Sequence, residues 1–397
     1  MKIEKLISAG EAQNIVGAKV SPLSLEKIPF QKANGRILAE DIISDRFYPP
    51  FNRSMMDGIA LKFSDVDKLP NGLPCKNTSY AGEKQKKLPH GEAIKIMTGA
   101  PVPTGADMVI RVERLSFIQG RVFCDKLTGL RPGQNIHPVG SDILKNEIVL
   151  TPGKLLTSGD VACLATLGKT SVLVERLPAF AIITTGNELI PPYGTPLDFQ
   201  IRSSNQYFLE SVLRKRGAVV SSINVSDELE MIQEAIDSVI SKVDCLILCG
   251  GVSKGNKDFV YKALENLGSI KLFHRVAQKP GKPLWFGMYK EKTVFGLPGN
   301  PLSVAATTAG YILPNLFAMS LDYAELVESV SFRSSLTFFC PGFGFRDGTF
   351  IRFKPSKFNT SGDVLSLSKI NGFLELPASK NVFTKGDKYR FYPIDQL

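Results

Sequence analysis

Three short glycine-bearing turns are the residues of this chain whose types and spacing best suit the binding of a phosphorylated ligand. Glycines let backbone amides approach a phosphate closely, and the amino terminus of a helix favours an anion. Each turn follows a short apolar run and precedes a segment with helical spacing. The turns are Thr184-Thr185-Gly186-Asn187-Glu188, Cys249-Gly250-Gly251-Val252-Ser253 and Gly296-Leu297-Pro298-Gly299-Asn300-Pro301-Leu302-Ser303. Together they predict a site for a phosphorylated ligand, with ordinary turn glycines as the alternative.

The apolar runs before these turns do not alternate with polar residues, which is typical of strands buried on both faces of a parallel sheet. Strand-like and helix-like segments then alternate at 179–183, 205–216, 219–225, 228–242, 244–248 and 259–267. This order predicts right-handed βαβ crossovers and a doubly wound α/β sheet. Because ligands bind such sheets at the carboxyl ends of the strands, we expect the three turns to lie at one edge.

Acidic residues recur beside these turns. Glu188 lies in the first turn, Asp227 follows the strand at 219–225, and Asp258 lies seven residues beyond Gly251. Carboxylates at one sheet edge suit Mg²⁺, which binds through a few carboxylates together with substrate phosphate and water. The alternative is that Asp227 and Asp258 only cap helices.

A basic loop, Lys279-Pro280-Gly281-Lys282-Pro283, places two ammonium groups on a segment stiffened by prolines. Lysines in such a loop can offset phosphate or oxyanion charge. An exposed connection would also carry lysines, so the loop alone does not decide between these interpretations.

A second group of polar residues lies in the amino-terminal half. Asp57 occurs in Ser54-Met55-Met56-Asp57-Gly58, Thr98 in the turn at 97–103, and Asp142 in Gly140-Ser141-Asp142. The residues alone do not show whether these turns meet the glycine turns, and ordinary turns carry the same residue types.

Composition limits the function classes. The chain has 397 residues, 43% hydrophobic and 22% charged, which is typical of a globular protein of two to four domains. The net charge of +10 permits an anionic partner, but the basic residues are dispersed and no nucleic-acid recognition motif is visible. We therefore expect no nucleic acid and, with no long apolar stretch and no signal-peptide core at the start, no membrane and a cytoplasmic location.

Cysteine and histidine motifs for zinc binding or nucleophilic catalysis are missing from the sequence. The six cysteines are scattered without a paired CxxC, and the three histidines have no ligand spacing. We expect reduced thiols and no zinc site.

Four domains are predicted from the pattern of elements. They are an extended helical linker domain made of 1–45 and 141–177, a β-rich domain at 46–140, the α/β domain at 178–325, and a small β domain at 326–397.

Taken together, these segments resemble the MoeA family of molybdopterin molybdenumtransferases, to which the carboxyl-terminal domain of gephyrin is also similar. The matching stretches occur in family order over nearly the whole chain: ANGRILAEDI at 33–42, SMMDG at 54–58, IMTGAPVP at 96–103, RPGQNIHPVGSDI at 131–143, TTGNEL, CGGVS, KPGKP and GLPGNPLS.

The resemblance implies a fold and an activity. The fold is a multidomain α/β plus β protein, with a doubly wound MogA-like α/β domain, an N-terminal β-rich domain, a helical linker domain and a C-terminal small β-barrel. The activity is the insertion of molybdate into adenylylated molybdopterin with release of AMP, requiring Mg²⁺ or a similar divalent ion. The resemblance also implies an elongated homodimer, with the adenylyltransferase of the preceding step and apo-molybdoenzymes as further possible partners.

Functional roles are carried over by position. The resemblance assigns catalytic roles to Asp57, Thr98, Asp142, Glu188, Asp227 and Asp258, with the last three also as metal ligands. It implies that the first three are contributed to the active site by the other domains, from the partner subunit. Substrate-binding roles fall on Gly186, Gly250, Gly251, Ser253, Lys279, Lys282, Pro298, Gly299, Asn300 and Pro301.

The chain departs from the family at one motif. Family members commonly read FDNSAMDGYA where this chain has Phe51-Asn52-Arg53-Ser54-Met55-Met56-Asp57-Gly58-Ile59-Ala60. Arg53 adds a positive charge that tunes oxyanion approach or lies in solvent.

Two other functions stay open at this point. One is the adenylyltransferase itself, because the doubly wound domain is shared by both activities. The other is a non-catalytic pterin-binding scaffold.

Overall fold

The computed structural model describes residues 6–20, 23–251, 259–317, 319 and 321–395. The chain forms two compact units. One comprises Met1–Leu23 with Leu177–Leu397, and the other comprises Ser24–Arg176. This partition is coarser than the four predicted domains, whose boundaries stay a prediction.

The larger unit contains a six-stranded sheet with the order Val219–Val225, Ala179–Thr185, Cys245–Cys249, Lys292–Leu297, Trp285–Tyr289 and Ile270–His274. The first four strands run parallel, and Trp285–Tyr289 runs antiparallel to both of its neighbours. Strand Val219–Val225, the next in sequence, lies on one side of Ala179–Thr185, and strand Cys245–Cys249 lies on the other. The strand order therefore reverses beside Ala179–Thr185. In doubly wound folds such a switch point opens the ligand crevice.

Helices cover both faces of this sheet, as buried parallel strands require. Alternate residues of Ala179–Thr185 face opposite ways: Phe180 and Ile182 pack with helix Asn205–Arg214, while Ala181 and Ile183 pack with helix Leu229–Ile240. Further helical segments are Phe259–Asn266, Pro301–Thr307, a π-helical turn Thr308–Ile312 and Leu313–Leu316. The predicted doubly wound α/β fold is confirmed.

Helix Ala9–Gly17 begins at Ser8, whose side chain accepts a hydrogen bond from the Glu11 N–H at 3.1 Å. Its buried residues Ala9, Ala12 and Val16 belong to the same core as Phe180 and Ile182 of the sheet.

A five-stranded barrel ends the chain. The strands follow the order Thr337–Asp347, Phe350–Pro355, Tyr323–Leu326, Lys388–Pro393 and Gly372–Leu376, and the last pairs back onto the first. Phenylalanines such as Phe353 and Phe391 fill its core. Short accompanying elements are Val330–Ser331 with Val382–Phe383 and the 3₁₀ segment Val364–Lys369. The barrel confirms the predicted C-terminal small β-barrel.

The smaller unit is mostly β-structure. Its central sheet has the order Thr78–Ser79, Ile94–Ile96, Gly58–Leu61 and Met108–Arg111. Other pairings are Leu25–Pro29 with Ser171–Glu175, Ile42–Ile43 with Ile148–Leu150, Arg53–Ser54 with Ile136–His137, and Arg121–Phe123 with both Leu73–Pro74 and Ser116–Ile118.

The smaller unit also holds one α-helix among its described residues, Ser158–Thr166, which starts with a capping box between Thr157 and Asp160. The 3₁₀ segments are Phe30–Lys32, Phe63–Asn71 and Val112–Arg114. In the parts of the chain that the structure describes, no helix is long and apolar enough to cross a membrane.

Candidate functional site

The three glycine turns lie at one edge of the larger unit's sheet. Strands Ala179–Thr185, Cys245–Cys249 and Lys292–Leu297 are consecutive neighbours, and their registers pair Thr184 with Cys249 and Cys249 with Leu297. Parallel strands in this register end side by side, so the turns that follow them come together. The first two turns flank the switch point of the sheet.

Gly250 fits closely against the end of the neighbouring strand. Its φ is +105°, and a Cβ added there would lie 2.7 Å from the Thr185 carbonyl oxygen. Gly251 also has a positive φ, of +59°. Its own added Cβ would meet Val260 Cγ2 at 3.1 Å. The backbone therefore approaches more closely here than any residue with a side chain allows.

Two threonines at the end of strand Ala179–Thr185 have buried hydroxyls without a partner among the described residues. Thr184 and Thr185 are buried, yet within the described residues neither Oγ1 has a hydrogen-bond partner. Thr185 Oγ1 lies on the side of Gly250, 3.2 Å from the position of an added Cβ. Because an unpaired buried hydroxyl is costly, a polar group beside Gly250 would stabilise the Thr185 hydroxyl.

The third turn is held to its neighbours by hydrogen bonds. The Gly250 N–H donates to the Leu297 carbonyl at 3.3 Å. Asn205 Nδ2 donates to the Gly299 carbonyl at 2.7 Å. Asn300 Nδ2 donates to Ser361 Oγ at 2.8 Å. Pro298 is buried, whereas Gly299 and Asn300 are exposed.

Asn205 was missed by sequence reasoning. It begins helix Asn205–Arg214, where an asparagine reads as an ordinary helix-start residue. Its partner Gly299 is 94 positions away, so no sequence signal marks the contact.

Two of the three predicted acids, Glu188 and Asp227, lie in neighbouring turns of the described structure. Glu188 follows strand Ala179–Thr185 and Asp227 follows strand Val219–Val225, which are adjacent and parallel. The Asp227 N–H donates to Asn187 Oδ1 at 3.1 Å, which ties the two turns together. The Glu188 carboxylate folds back over Gly186, since a Cβ added at Gly186 would lie 2.8 Å from Oε1. Ser253 and Asp258 lie outside the described residues.

The donor set fits a magnesium ion in kind. Within the described ranges no group of three or more His, Cys, Asp or Glu side chains is arranged to hold a metal. Mg²⁺ needs fewer, because it commonly binds one or two carboxylates together with substrate phosphates. Glu188 and Asp227 supply carboxylates of that kind at the crevice edge.

The basic loop also reaches this edge of the sheet. Trp285 pairs with Gly296, next to the carboxyl end of strand Lys292–Leu297, so the residues before Trp285 lie beyond that end. Lys279 and Lys282 are both exposed, and Lys279 Nζ lies 5.9 Å from the centre of the Phe332 ring.

Gln278, buried beside the loop, fixes its shape. Gln278 Nε2 donates to the Pro280 carbonyl at 3.0 Å, and its Oε1 accepts a hydrogen bond from the Tyr311 hydroxyl. Gly281 has a φ of +89°, and an added Cβ there would lie 2.7 Å from Thr307 Cγ2. The loop therefore presents its lysines from a fixed backbone.

The smaller unit holds the remaining predicted residues. Thr98 donates to Asp57 Oδ1 from both its backbone N–H and its hydroxyl, each at 2.7 Å. These bonds lower the pKa of Asp57, the backbone bond being the larger cause. The structure therefore brings two of the three predicted residues into direct contact.

Asp142 has a different set of partners. His137 Nε2 lies 2.7 Å from Asp142 Oδ1, and Arg53 Nη2 lies 3.0 Å from His137 Nδ1. The sequence does not mark His137 as a site residue, because three isolated histidines form no ligand spacing. Only the pairing of Arg53–Ser54 with Ile136–His137 brings these side chains together.

Comparisons with known proteins place the chain in a family. Residues 7–168 match the model of the MoeA N-terminal region (domain I and II), and residues 181–318 match that of the probable molybdopterin binding domain.

Curated relatives match over most of their length. A molybdopterin molybdenumtransferase of Synechocystis is 33% identical, covering 98% of this chain and 100% of the relative. One from Bacillus subtilis is 31% identical, covering 91% and 88%. Among solved structures, a molybdopterin biosynthesis MoeA protein from Pyrococcus horikosii is similar, with a TM-score of 0.84, 29% identity and coverage of 99% and 100%. The chain belongs to the molybdopterin molybdenumtransferase (MoeA) family.

Proposed function

We propose that this protein is a molybdopterin molybdenumtransferase, which inserts molybdate into adenylylated molybdopterin and releases AMP. The observation that carries the proposal is the meeting of three glycine turns at the carboxyl ends of neighbouring parallel strands. Relatives that are 33% and 31% identical over most of their length bear the name of this activity.

Binding of the nucleotide part rests on main-chain and cationic groups. The turns at Gly186, Gly250 with Gly251, and Pro298 with Gly299 form the polar edge of the crevice. Substrate-binding roles are also assigned, from the resemblance, to Ser253, Asn300 and Pro301. Donors fixed before the ligand arrives stabilise developing charge without reorganisation. Lys279 and Lys282 add positive charge that offsets that of phosphate and molybdate.

Mg²⁺ is part of the proposal. Glu188 and Asp227 would hold it, and Asp258 is assigned the same role from the resemblance. When bound, the ion neutralises phosphate oxygens and favours cleavage of the linkage to AMP. The Thr185 hydroxyl, which has no partner among the described residues, lies beside Gly250 and would contact the polar ligand.

Asp57, Thr98 and Asp142 are assigned to the same reaction, acting from the partner subunit of a homodimer. The geometry around Asp57 supports a role for an ionised carboxylate, because Thr98 holds one oxygen with two hydrogen bonds. A cytoplasmic location agrees with the six free cysteines. The preceding adenylyltransferase and apo-molybdoenzymes would be its transient partners.

The test supplies purified protein with adenylylated molybdopterin, Mg²⁺ and molybdate, and follows AMP release and metal incorporation. Glu188→Gln and Asp227→Asn are each expected to keep the fold and lose Mg²⁺-dependent AMP release. Glu234→Gln is the matched control, because Glu234 is exposed on helix Leu229–Ile240. Full turnover by both site variants would contradict the assignment.

The alternatives give different outcomes in the same experiment. An adenylyltransferase would consume ATP when given molybdopterin, which the proposed enzyme does not. A scaffold would bind adenylylated molybdopterin without releasing AMP.

A further inference from the structure

Arg53 and Asn52, where the chain departs from the common family sequence, have structural partners in the smaller unit. Asn52 Oδ1 accepts a hydrogen bond from the Val139 N–H at 2.8 Å. Arg53 Nε and Nη2 lie 3.2 and 3.0 Å from His137 Nδ1. Both departures therefore contact the loop that leads to Asp142.

The backbone of that loop is fixed on several sides. The Gly140 N–H donates to the Pro49 carbonyl at 3.0 Å, and the Asp142 N–H donates to the Tyr48 carbonyl at 2.9 Å. Gly140 has a φ of +71°, and an added Cβ there would meet Phe47 Cδ1 at 2.9 Å. Because these contacts fix the backbone, the direction of the Asp142 carboxylate depends on the rotation of its side chain.

The hydrogen-bond chemistry of the ring permits one arrangement. A guanidinium only donates, so His137 Nδ1 must accept from Arg53 and carries no proton. The proton of the neutral ring then lies on Nε2, which is 2.7 Å from Asp142 Oδ1 and donates to it. A flipped tautomer would set N–H against N–H at Arg53 and a lone pair against the carboxylate.

One oxygen of Asp142 is thereby held and the other is left open. Oδ1 accepts the hydrogen bond from His137 Nε2–H, and Ser141 Oγ donates to the same oxygen at a longer distance of 3.4 Å. Oδ2 accepts no hydrogen bond from any residue that the structure describes. Asp142 is exposed, with 48% of its side chain accessible, so the open oxygen can reach a ligand.

We infer that His137 is a positioning residue for the Asp142 carboxylate, held in its Nε2–H tautomer by the Arg53 guanidinium. Arg53 thus acts through His137, in addition to contributing its charge. The inference rests on the proposed function for the role of Asp142, but the tautomer itself does not depend on it.

The first test measures the tautomer directly. The chain has only three histidines, so long-range ¹H–¹⁵N spectra of the imidazole rings are simple, and the His137 signals are assigned by their loss in His137→Gln. We expect the Nε2–H pattern for His137 in the wild type. In Arg53→Met, which keeps an apolar stem and removes the donors, this pattern should give way to a mixture of tautomers. A wild-type ring that is Nδ1–H, or unchanged in Arg53→Met, would overturn the inference.

The second test measures catalysis. His137→Ala should lower kcat for AMP release, by up to about 100-fold, because the carboxylate loses its orientation. KM for adenylylated molybdopterin should change little. His137→Gln should restore most of kcat, since its amide can donate to Asp142 and accept from Arg53. His90→Ala, an exposed histidine of the same unit, is the control and should match the wild type.

The two tests separate the possible failures. If the wild type releases no AMP, the proposed function fails while the spectra still decide the tautomer. If AMP is released and His137→Ala turns over normally, the positioning role is wrong and the function stands.

Discussion

Thr98 donates two hydrogen bonds to a single carboxylate oxygen of Asp57, one from its backbone N–H and one from its hydroxyl, both at 2.7 Å. The residues are 41 positions apart and come together because strand Gly58–Leu61 pairs with strand Ile94–Ile96. Both bonds favour the ionised form, so they lower the pKa of Asp57.

Thr98→Val should raise the pKa of Asp57 toward its ordinary value. The rise should be incomplete, because the backbone N–H is the larger cause of the shift and remains in the variant. A lowered folded-state pKa stabilises the protein above the unfolded-state pKa, and this contribution is lost as the pH falls through the folded-state value. The loss should therefore occur at higher pH in the variant. An NMR titration of the Asp57 carboxyl carbon measures this shift.

Thr98→Ser is the control for that titration, because serine keeps the hydroxyl donor. It should titrate as the wild type does. Identical titrations in the wild type and Thr98→Val would show that the hydroxyl bond does not act on Asp57.

Gly250→Ala should destabilise the protein more than Gly268→Ala. Both glycines have positive φ, +105° and +74°, where a side chain costs about 1–2 kcal/mol. An added Cβ at Gly268 meets nothing within 4 Å, whereas at Gly250 it lies 2.7 Å from the Thr185 carbonyl oxygen. Urea unfolding of both variants measures the difference, and equal losses would show that the close approach to Thr185 carries no cost.

Asn205→Ala should weaken ligand binding with only a small loss of stability. The variant loses the hydrogen bond from Asn205 Nδ2 that fixes the Gly299 carbonyl at 2.7 Å. A net loss of about 1 kcal/mol in binding free energy corresponds to a rise in Kd of about fivefold. Calorimetric titration with adenylylated molybdopterin measures this rise.

Tyr207→Phe is the matched control for Asn205→Ala. It lies on the same helix, and no hydrogen bond to its hydroxyl is found among the described residues. It should bind as the wild type does, and an Asn205→Ala variant with unchanged Kd would show that the Gly299 turn holds its shape alone.

Cysteine labelling should show one fast thiol in the native protein. Cys163 is exposed, while burial raises the pKa of Cys245, Cys249 and Cys340 to about 12. At about pH 8 such thiols are almost wholly protonated and unreactive. A disulfide reagent should therefore label Cys163 first and all six thiols only after unfolding. Cys163→Ser should abolish the fast phase, and a fast phase that survives this substitution would contradict the assignment.

The sequence by itself determined the α/β architecture and the glycine turns that follow its strands. Unbroken apolar runs at 179–183 and 244–248 indicate strands buried on both faces, and helical spacing between them indicates crossovers. These signals are local, since each depends on residues that are neighbours in the chain. The glycines after the strands are equally local, because a positive φ such as that of Gly250 requires them.

The tertiary structure alone decided which distant residues touch. Asn205 with Gly299 and Arg53 with His137 are 94 and 84 positions apart, and no spacing in the sequence marks either pair. Their contacts depend on strand order and register, which set where distant segments meet. A polar residue at a turn looks the same in the sequence whether it caps a helix, holds a neighbouring turn or orients a carboxylate. The path of the folded chain distinguishes these roles.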